Sequence, residues 1–273
     1  MNPLLTPLTE SLLFCDGEPL LPQQLDRGLE FGDGCFETID VSAGQLSDWP
    51  AHLERLQHAA AVLQLQCPAA ESLLAALPLE LKHISAGVCK IILTRGQGGL
   101  GYRVDPKAPT RLYILLTPPR RVLAPSWRVG LLTTPLMLHP TLAGLKTLNR
   151  LDAVLARVEL AQHPEWDEGL MTDGRGHVIS ASMGNVFFEL TTKQWVTPAI
   201  TDCGIAGCVR RRLLERWPRA IEVRPIHVSE LPQVSQAFVT NSLLPVQPIS
   251  QLLDWTLSDS SGASMAKRLL TTP

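Results

Sequence analysis

The chain has 273 residues, 45% of them apolar, which is enough to bury a large core as two modest domains. Its net charge of -2 gives no electrostatic footprint for nucleic acid, and no apolar run approaches the ~20 residues of a membrane span. The opening MNPLLTPLTESLLF has no basic stretch ahead of its apolar residues, so it does not read as a secretory signal and the expected location is cytoplasmic.

In chain order, the first forty residues offer short alternating segments broken by turns. DGEPL stands at 16–20 and GDG at 32–34, and the strand-forming CFETIDV after GDG suggests a hairpin. Trp49 to Leu65 predicts a helix, with Leu53, Leu56, Ala60, Leu63 and Leu65 as its apolar stripe. A second helix is expected over 70–83, interrupted at Pro78. GVCKIILTRG (87–96) predicts a strand running into the loop GQGGLGYR, and RLYILLTP (111–118) another strand. PPRRVLAPSW (118–127) has no apolar period and is the expected linker, dividing a smaller domain, 1–117, from a larger one, 128–273.

Beyond it, WRVGLLTTP resumes strand character. From Asn149 to His163 the spacing of Leu151, Val154, Leu155, Val158 and Leu160 predicts an amphipathic helix. EGLMTDGRGHVIS and NVFFEL with QWVTP predict two hairpins, GIAGCVRRRLLERW a helix begun after glycines, and QAFVTNSLLPVQPI a strand and turn. Irregular alternation with many hairpins gives an α+β fold. The six scattered cysteines read as free thiols, and no histidine or cysteine cluster has metal-ligand spacing.

The segment LAGLKTLNRLDAVLARVEL places Lys146, one of only six lysines, among apolar residues. Apolar surroundings disfavour the ammonium, and a neutral amine can condense with a carbonyl cofactor. A lysine snorkelling from a helix end satisfies the same pattern. GQGGLG at 96–101 fits neither phosphate-loop spacing and reads as a loop bordering a pocket. GIAGCVRRR at 204–212 presents free amides at Ile205 and Ala206 ahead of a helix, either for an anion or simply as a Gly-rich start. Arg55 suits a buried phosphate as well as a solvated helix face. Thr240, Asn241 and Ser242 follow a strand and offer small polar groups. A lysine combined with a phosphate site is what pyridoxal phosphate requires.

RGLEFGDGCFET, HLERL, TRGQGGLGYR, LAGLKTLNRLDAVLA, GNVFF, GIAGCVRR and FVTNSLLPV stand in the order found in fold type IV pyridoxal phosphate enzymes, which the chain resembles over nearly its whole length. GLKTLNR with TNSLLPV is most similar to the branch of 4-amino-4-deoxychorismate lyases. FGDG and the lysine segment alone also suit D-amino-acid or branched-chain aminotransferases. That resemblance implies a homodimer with the cofactor between two α/β domains, acting in folate biosynthesis to release 4-aminobenzoate and pyruvate. A cofactor-binding protein without catalysis is the remaining alternative.

Carried across by position, the resemblance makes Lys146 the Schiff-base lysine and places Arg55, the amides of Ile205 and Ala206, and Thr240–Asn241 on the cofactor phosphate. Thr38 matches a position lining the substrate side of the ring. The aminotransferase carboxylate trap, Arg-x-His, is replaced by Leu100 and Tyr102. Tyr102, Arg103 and Arg150 are candidate contacts to the substrate carboxylates. One departure stands out: the family's V-T-E-x-x-x-x-N-L-F reads V-I-S-A-S-M-G-N-V-F here, so Ser180 replaces the glutamate that pairs with the pyridine nitrogen. A hydroxyl can bond that nitrogen but brings no full counter-charge.

Overall fold

Two sheets of different build organise the chain. The computed structural model describes residues 13–15, 18–20, 25–99, 101–119 and 124–271, and every element named below belongs to these. Strands β1 (Leu13–Cys15) and β2 (Glu18–Leu20) form a small antiparallel pair, followed by the short helix α1 (Arg27–Phe31). Then come β3 (Gly34–Ser42), β4 (Gln45–Leu46), α2 (Trp49–Val62), α3 (Ala70–Ala75), β5 (Ala86–Thr94) and β6 (Arg111–Thr117). The first sheet runs β4-β3-β5-β6 and is antiparallel throughout.

Strand β3 shows why one face holds a core and the other a site. Its side chains alternate, so Cys35, Glu37, Ile39 and Val41 are buried toward α2 while Phe36 and Thr38 point the other way. Helix α2 answers with Leu56, Ala59 and Ala60, and these pack with Ile91 and Leu93 of β5. The expected helix over 70–83 is broken as predicted: α3 ends at Ala75 and a 3-10 turn, Leu79–His83, follows Pro78.

The second part contains β7 (Trp127–Leu131), α4 (Leu151–Leu160), β8 (Glu168–Thr172), β9 (His177–Ala181), β10 (Asn185–Leu190), β11 (Trp195–Pro198) and α5 (Cys208–Arg216). It continues through β12 (Glu222–Arg224), β13 (Ile226–His227), β14 (Val234–Thr240), β15 (Gln247–Leu252), β16 (Trp255–Thr256) and α6 (Ser261–Thr271). The sheet order is β12-β11-β10-β14-β15-β7-β8-β9-β13, with β16 beside β15. Parallel pairs occur at β7–β8, β15–β7 and β11–β12, and the rest are antiparallel. Strand β10 is buried along its whole length because both its faces are covered. Val186 and Phe188 enter one core with Leu170 and Val239, and Phe187 enters another beneath α5 and α6.

The class is α+β, as expected, and both predicted hairpins form, as β8–β9 and β10–β11. Two expectations are corrected. No hairpin spans GDG: α1 ends at Gly32, whose amide bonds Gly28 O, and the partners of β3 are β4 and β5. Helix α4 forms, but its apolar stripe faces outward. Leu151, Val154, Leu155 and Val158 are 62, 54, 50 and 55% exposed, while Asp152, Ala156 and Leu160 are buried.

The first sheet ends at Thr117 and β7 starts at Trp127, the last residue of the expected linker; residues 120–123 of that linker lie outside the described ones. Cys35, Cys67, Cys89, Cys203 and Cys208 are free thiols, and burial pushes Cys35 up to about 12. Among the described residues no helix is long and apolar enough to cross a membrane.

Candidate active site

Lys146 is held where the two sheets meet. Its carbonyl accepts from Phe36 N at 2.9 Å, Leu148 N donates to Gly34 O at 3.0 Å, and Thr147 bridges Cys35, so this segment lies along β3. Leu145, 2% exposed, sinks into the core of the first sheet, a burial worth ~2 kcal/mol that pins the residue beside the lysine. On the other side Gly144 N donates to Gly204 O at 2.9 Å and Ala206 N donates to Gly144 O at 3.0 Å. Gly144 and Gly204 have φ of 84° and 89°, a backbone region that a side chain would strain.

The ammonium of Lys146 lies 4.5 Å from the Phe36 ring centroid and faces a cavity of about 480 Å³. Burial, aided by the charges of Arg55, Arg150 and Lys90 and opposed by Glu37, pushes its pKa down to about 8. A useful fraction of the amine is therefore neutral near pH 7.

Arg55 reaches the same cavity from α2. The spacing His52, Arg55, Leu56, Ala59 puts all four on the helix face toward β3. Glu37, 1% exposed, receives Arg55 Nε at 2.8 Å and Nη2 at 2.6 Å, and its Oε2 lies 2.6 Å from His52 Nδ1. Burial alone raises the Glu37 carboxyl, but the hydrogen bonds from Arg55 and His52 prevail and hold it below the usual carboxylate range. Arg55 Nη1 donates across to Ala206 O at 3.1 Å, tying α2 to the loop ahead of α5. Held in this way, the guanidinium is a rigid cation that keeps further donors for an anion.

An anion cup surrounds it. Asn185 stitches the loop to β10, its Nδ2 donating to Ile205 O at 2.8 Å and its Oδ1 accepting from Gly207 N at 3.1 Å. Within the described residues Ile205 N makes no hydrogen bond, and Cys208 and Val209 open α5 at the cavity wall. Asn241 shapes the turn after β14 by accepting from Leu243 N and Leu244 N at 2.9 and 2.7 Å. Beside it Thr240 Oγ1 is buried with no hydrogen-bond partner in the protein. An orphaned buried hydroxyl, a bare amide, a helix start and a clamped arginine are a fitting donor set for a phosphate, and Lys146 suits an aldehyde. The residues therefore fit pyridoxal phosphate.

Of the predicted site residues, the fold brings Thr38, Arg55, Lys146, Arg150, Ser180, Ile205, Thr240 and Asn241 to the cavity wall. Three are not there. The amide of Ala206 is already committed to Gly144 O, so it has no proton to offer an anion. Tyr102 is 86% exposed and leans on Phe31, with ring centroids 5.3 Å apart. Arg103 sits in the same outer loop, where its carbonyl accepts from Arg27 Nη1 at 3.4 Å. Leu100 lies outside the described residues.

Sequence reasoning missed Phe36, Arg157, Ser182 and Asn185, all of which line the cavity. Arg157 was open to detection, because it stands seven residues, about two helical turns, beyond Arg150 on the same side of α4. Arg150 Nε donates to Asn149 O at 2.7 Å, and Arg150 makes no ion pair among the described residues.

The profile of the family described as Amino-transferase class IV matches residues 34–252. The chain belongs to that family. It is 34% identical over 233 residues to an aminodeoxychorismate lyase of Vibrio harveyi, covering 82% of this chain and 85% of that one. A crystal structure of 4-amino-4-deoxychorismate lyase from Pseudomonas aeruginosa is similar with a TM-score of 0.76 and 32% identity, over 93% of this chain and 95% of that one. The PLP-bound form of a hypothetical aminotransferase from Mycobacterium tuberculosis shares the fold with a TM-score of 0.75, at 20% identity over 93% and 95%. The fold is thus that of the class IV family, with the lysine and the candidate anion cup on the wall of one cavity.

Proposed function

We propose that the protein is a pyridoxal-phosphate-dependent lyase that converts 4-amino-4-deoxychorismate to 4-aminobenzoate and pyruvate in folate biosynthesis. The observation that carries this reading is the 34% identity to an aminodeoxychorismate lyase over most of both chains, joined to a cavity in which Lys146 faces a fitting phosphate cup.

Pyridoxal phosphate, when bound, supplies a carbonyl that captures the substrate amine and a ring that accepts the electron pair left by a removed proton. Arg55, Ile205 N and Thr240 Oγ1 would hold its phosphate, the turn built by Asn241 fixes Thr240, and Ser180 would stand on the ring side. Lys146 would hold the aldehyde, and the substrate amine taking that place would free it. Its freed Nζ, neutral in useful proportion, takes the proton from ring carbon C4. As the C3–O bond breaks, the enolpyruvyl group departs. Lys146 then returns the proton to the methylene carbon of the leaving group, giving pyruvate, while the ring becomes 4-aminobenzoate. Thr38, beside Phe36 on β3, orients the leaving group, and Arg150 meets a substrate carboxylate from the helix start. Tyr102 and Arg103 take no part in a site built from one chain.

We further take residues 1–117 and 128–273 as two domains with the site between them, and the working unit as a homodimer in the cytoplasm. Support for the dimer comes from α4, whose outward Leu151, Leu155 and Val158 form an uncovered patch beside Val154 at the cavity mouth. Incubation of the purified protein with aminodeoxychorismate should release 4-aminobenzoate and pyruvate in equal amounts. Absence of both with cofactor bound, together with amino-group transfer to pyruvate or 2-oxoglutarate, would replace the lyase reading by an aminotransferase one.

A further inference from the structure

We propose that Glu168, acting through the hydroxyl of Ser182, provides the counter-charge for the ring nitrogen of bound pyridoxal phosphate. The inference rests on the reading that the cofactor occupies this cavity and is independent of which reaction follows.

Glu168 lies on β8 with none of its surface exposed. Its Oε1 accepts from Gly169 N at 2.9 Å, from Ser182 N at 3.2 Å and from Ser182 Oγ at 2.5 Å. Its Oε2 accepts no hydrogen bond, and Arg157 Nη1, on a side chain 42% exposed, stands 3.6 Å away. A carboxylate buried this fully and half satisfied is costly to keep, and the strand on which it sits is otherwise apolar toward its core.

The ring nitrogen of pyridoxal phosphate is opposite the carbon that Lys146 engages, so it is turned away from the lysine toward the second sheet. The polar side chains which that sheet and its turns bring to the cavity are Ser180, Ser182, Asn185, Thr240, Asn241 and Ser242. Asn185 is occupied with Ile205 and Gly207, Asn241 with the amides of Leu243 and Leu244, and Thr240 belongs to the phosphate cup, with Ser242 in the same turn. Two hydroxyls remain, and they differ. Ser180 Oγ has no hydrogen bond within the described residues, so it can turn to donate or to accept and does not select a protonation state of the nitrogen. Ser182 has a single hydroxyl proton, and that proton is given to Glu168. Toward the cavity Ser182 Oγ therefore offers only lone pairs, and a nitrogen facing it must bring its own proton. The carboxylate behind the hydroxyl polarises it and stabilises the resulting N–H⁺, as charge-assisted hydrogen bonds do. Glu168 is thus a positioning residue: it fixes the direction of the Ser182 hydroxyl and makes good the charge that Ser180 does not carry.

The test is the nitrogen-15 resonance of ring-labelled pyridoxal phosphate bound to the full chain. The wild type and Ser180→Ala should show a protonated pyridine. Ser182→Ala and Glu168→Gln should lose that resonance to the neutral-pyridine position while retaining the visible absorbance of cofactor bound at Lys146. Adding Ser180→Glu to Ser182→Ala should restore the protonated resonance. If Glu168→Gln does not fold, Ser182→Ala decides, since it removes one small hydroxyl. Retention of the protonated signal in Ser182→Ala overturns the proposal, as does its loss in Ser180→Ala alone, or a wild-type chain that takes up no labelled cofactor. A failed product assay with the resonances behaving as expected would remove the lyase reading and leave this one standing.

Discussion

Replacing Lys146 by methionine should make the cofactor-free protein more stable at neutral pH while destroying its capacity to bind the cofactor covalently. The ammonium is surrounded by protein beside Arg55 and Arg150, and its pKa falls from the ordinary 10.5 to about 8. At ~1.4 kcal/mol per pKa unit, the charge costs the folded chain about 3 kcal/mol near pH 7, an upper figure because water reaches the cavity. Methionine has similar length and no charge, so Lys146→Met removes that cost without leaving a void. The sign with pH follows. Below pH about 8 the lysine is protonated in both the folded and unfolded chains, so the folded state bears the full cost. Between about 8 and 10.5 the folded chain sheds the proton first, and the advantage of methionine fades to about 1.4 kcal/mol by about pH 9.5. Urea unfolding of both cofactor-free proteins across this range measures it directly. A variant that is less stable at pH 7, or a difference that does not change with pH, refutes the burial argument.

Three other outcomes are expected. Arg55→Met strands the buried Glu37 carboxylate with His52 alone, so it should cost about 3–5 kcal/mol in urea unfolding and abolish cofactor retention on dialysis. Thr240→Val replaces an unpartnered buried hydroxyl by a methyl group; cofactor-free stability should hold or rise by about 1 kcal/mol, while cofactor affinity by fluorescence titration falls about tenfold. Leu155→Glu with Val158→Glu puts charges on the uncovered face of α4 and should convert a dimer to a monomer in sedimentation velocity, leaving the far-ultraviolet circular dichroism intact.

Elements governed by local chemistry were legible in the sequence. Pro78 broke its helix, Gly207 opened α5, and the NVFFEL run became a strand buried on both faces. What the sequence did not carry was direction. The 151, 154, 155, 158 spacing announces an apolar face but is silent on whether that face meets this chain's core or another surface. The GDG turn failed as a hairpin because a glycine ending a short helix and one turning between strands look alike until the strand partners are known.

The candidate site divides in the same manner. Lys146, Arg55 and Thr240 were identifiable by residue type within recognisable segments. Ala206 was misplaced because its amide is spent on Gly144, some sixty residues earlier in the chain. Glu168 and Ser182 carry no motif of their own. Their pairing arises from the approach of β8 to the turn after β9, which spacing along the chain does not report.

The stitching of residues 144–148 to both β3 and the loop ahead of α5 has a consequence for assembly. Arg55 belongs to the first sheet's layer, the Ile205 amide and the Thr240 hydroxyl belong to the second, and the segment carrying Lys146 is fastened to each by separate hydrogen bonds. Neither half synthesised alone holds a working fragment of the site. On the proposed site, capture of the cofactor would therefore be a certificate of completed folding: a chain carrying the yellow chromophore would already have brought its two sheets into register.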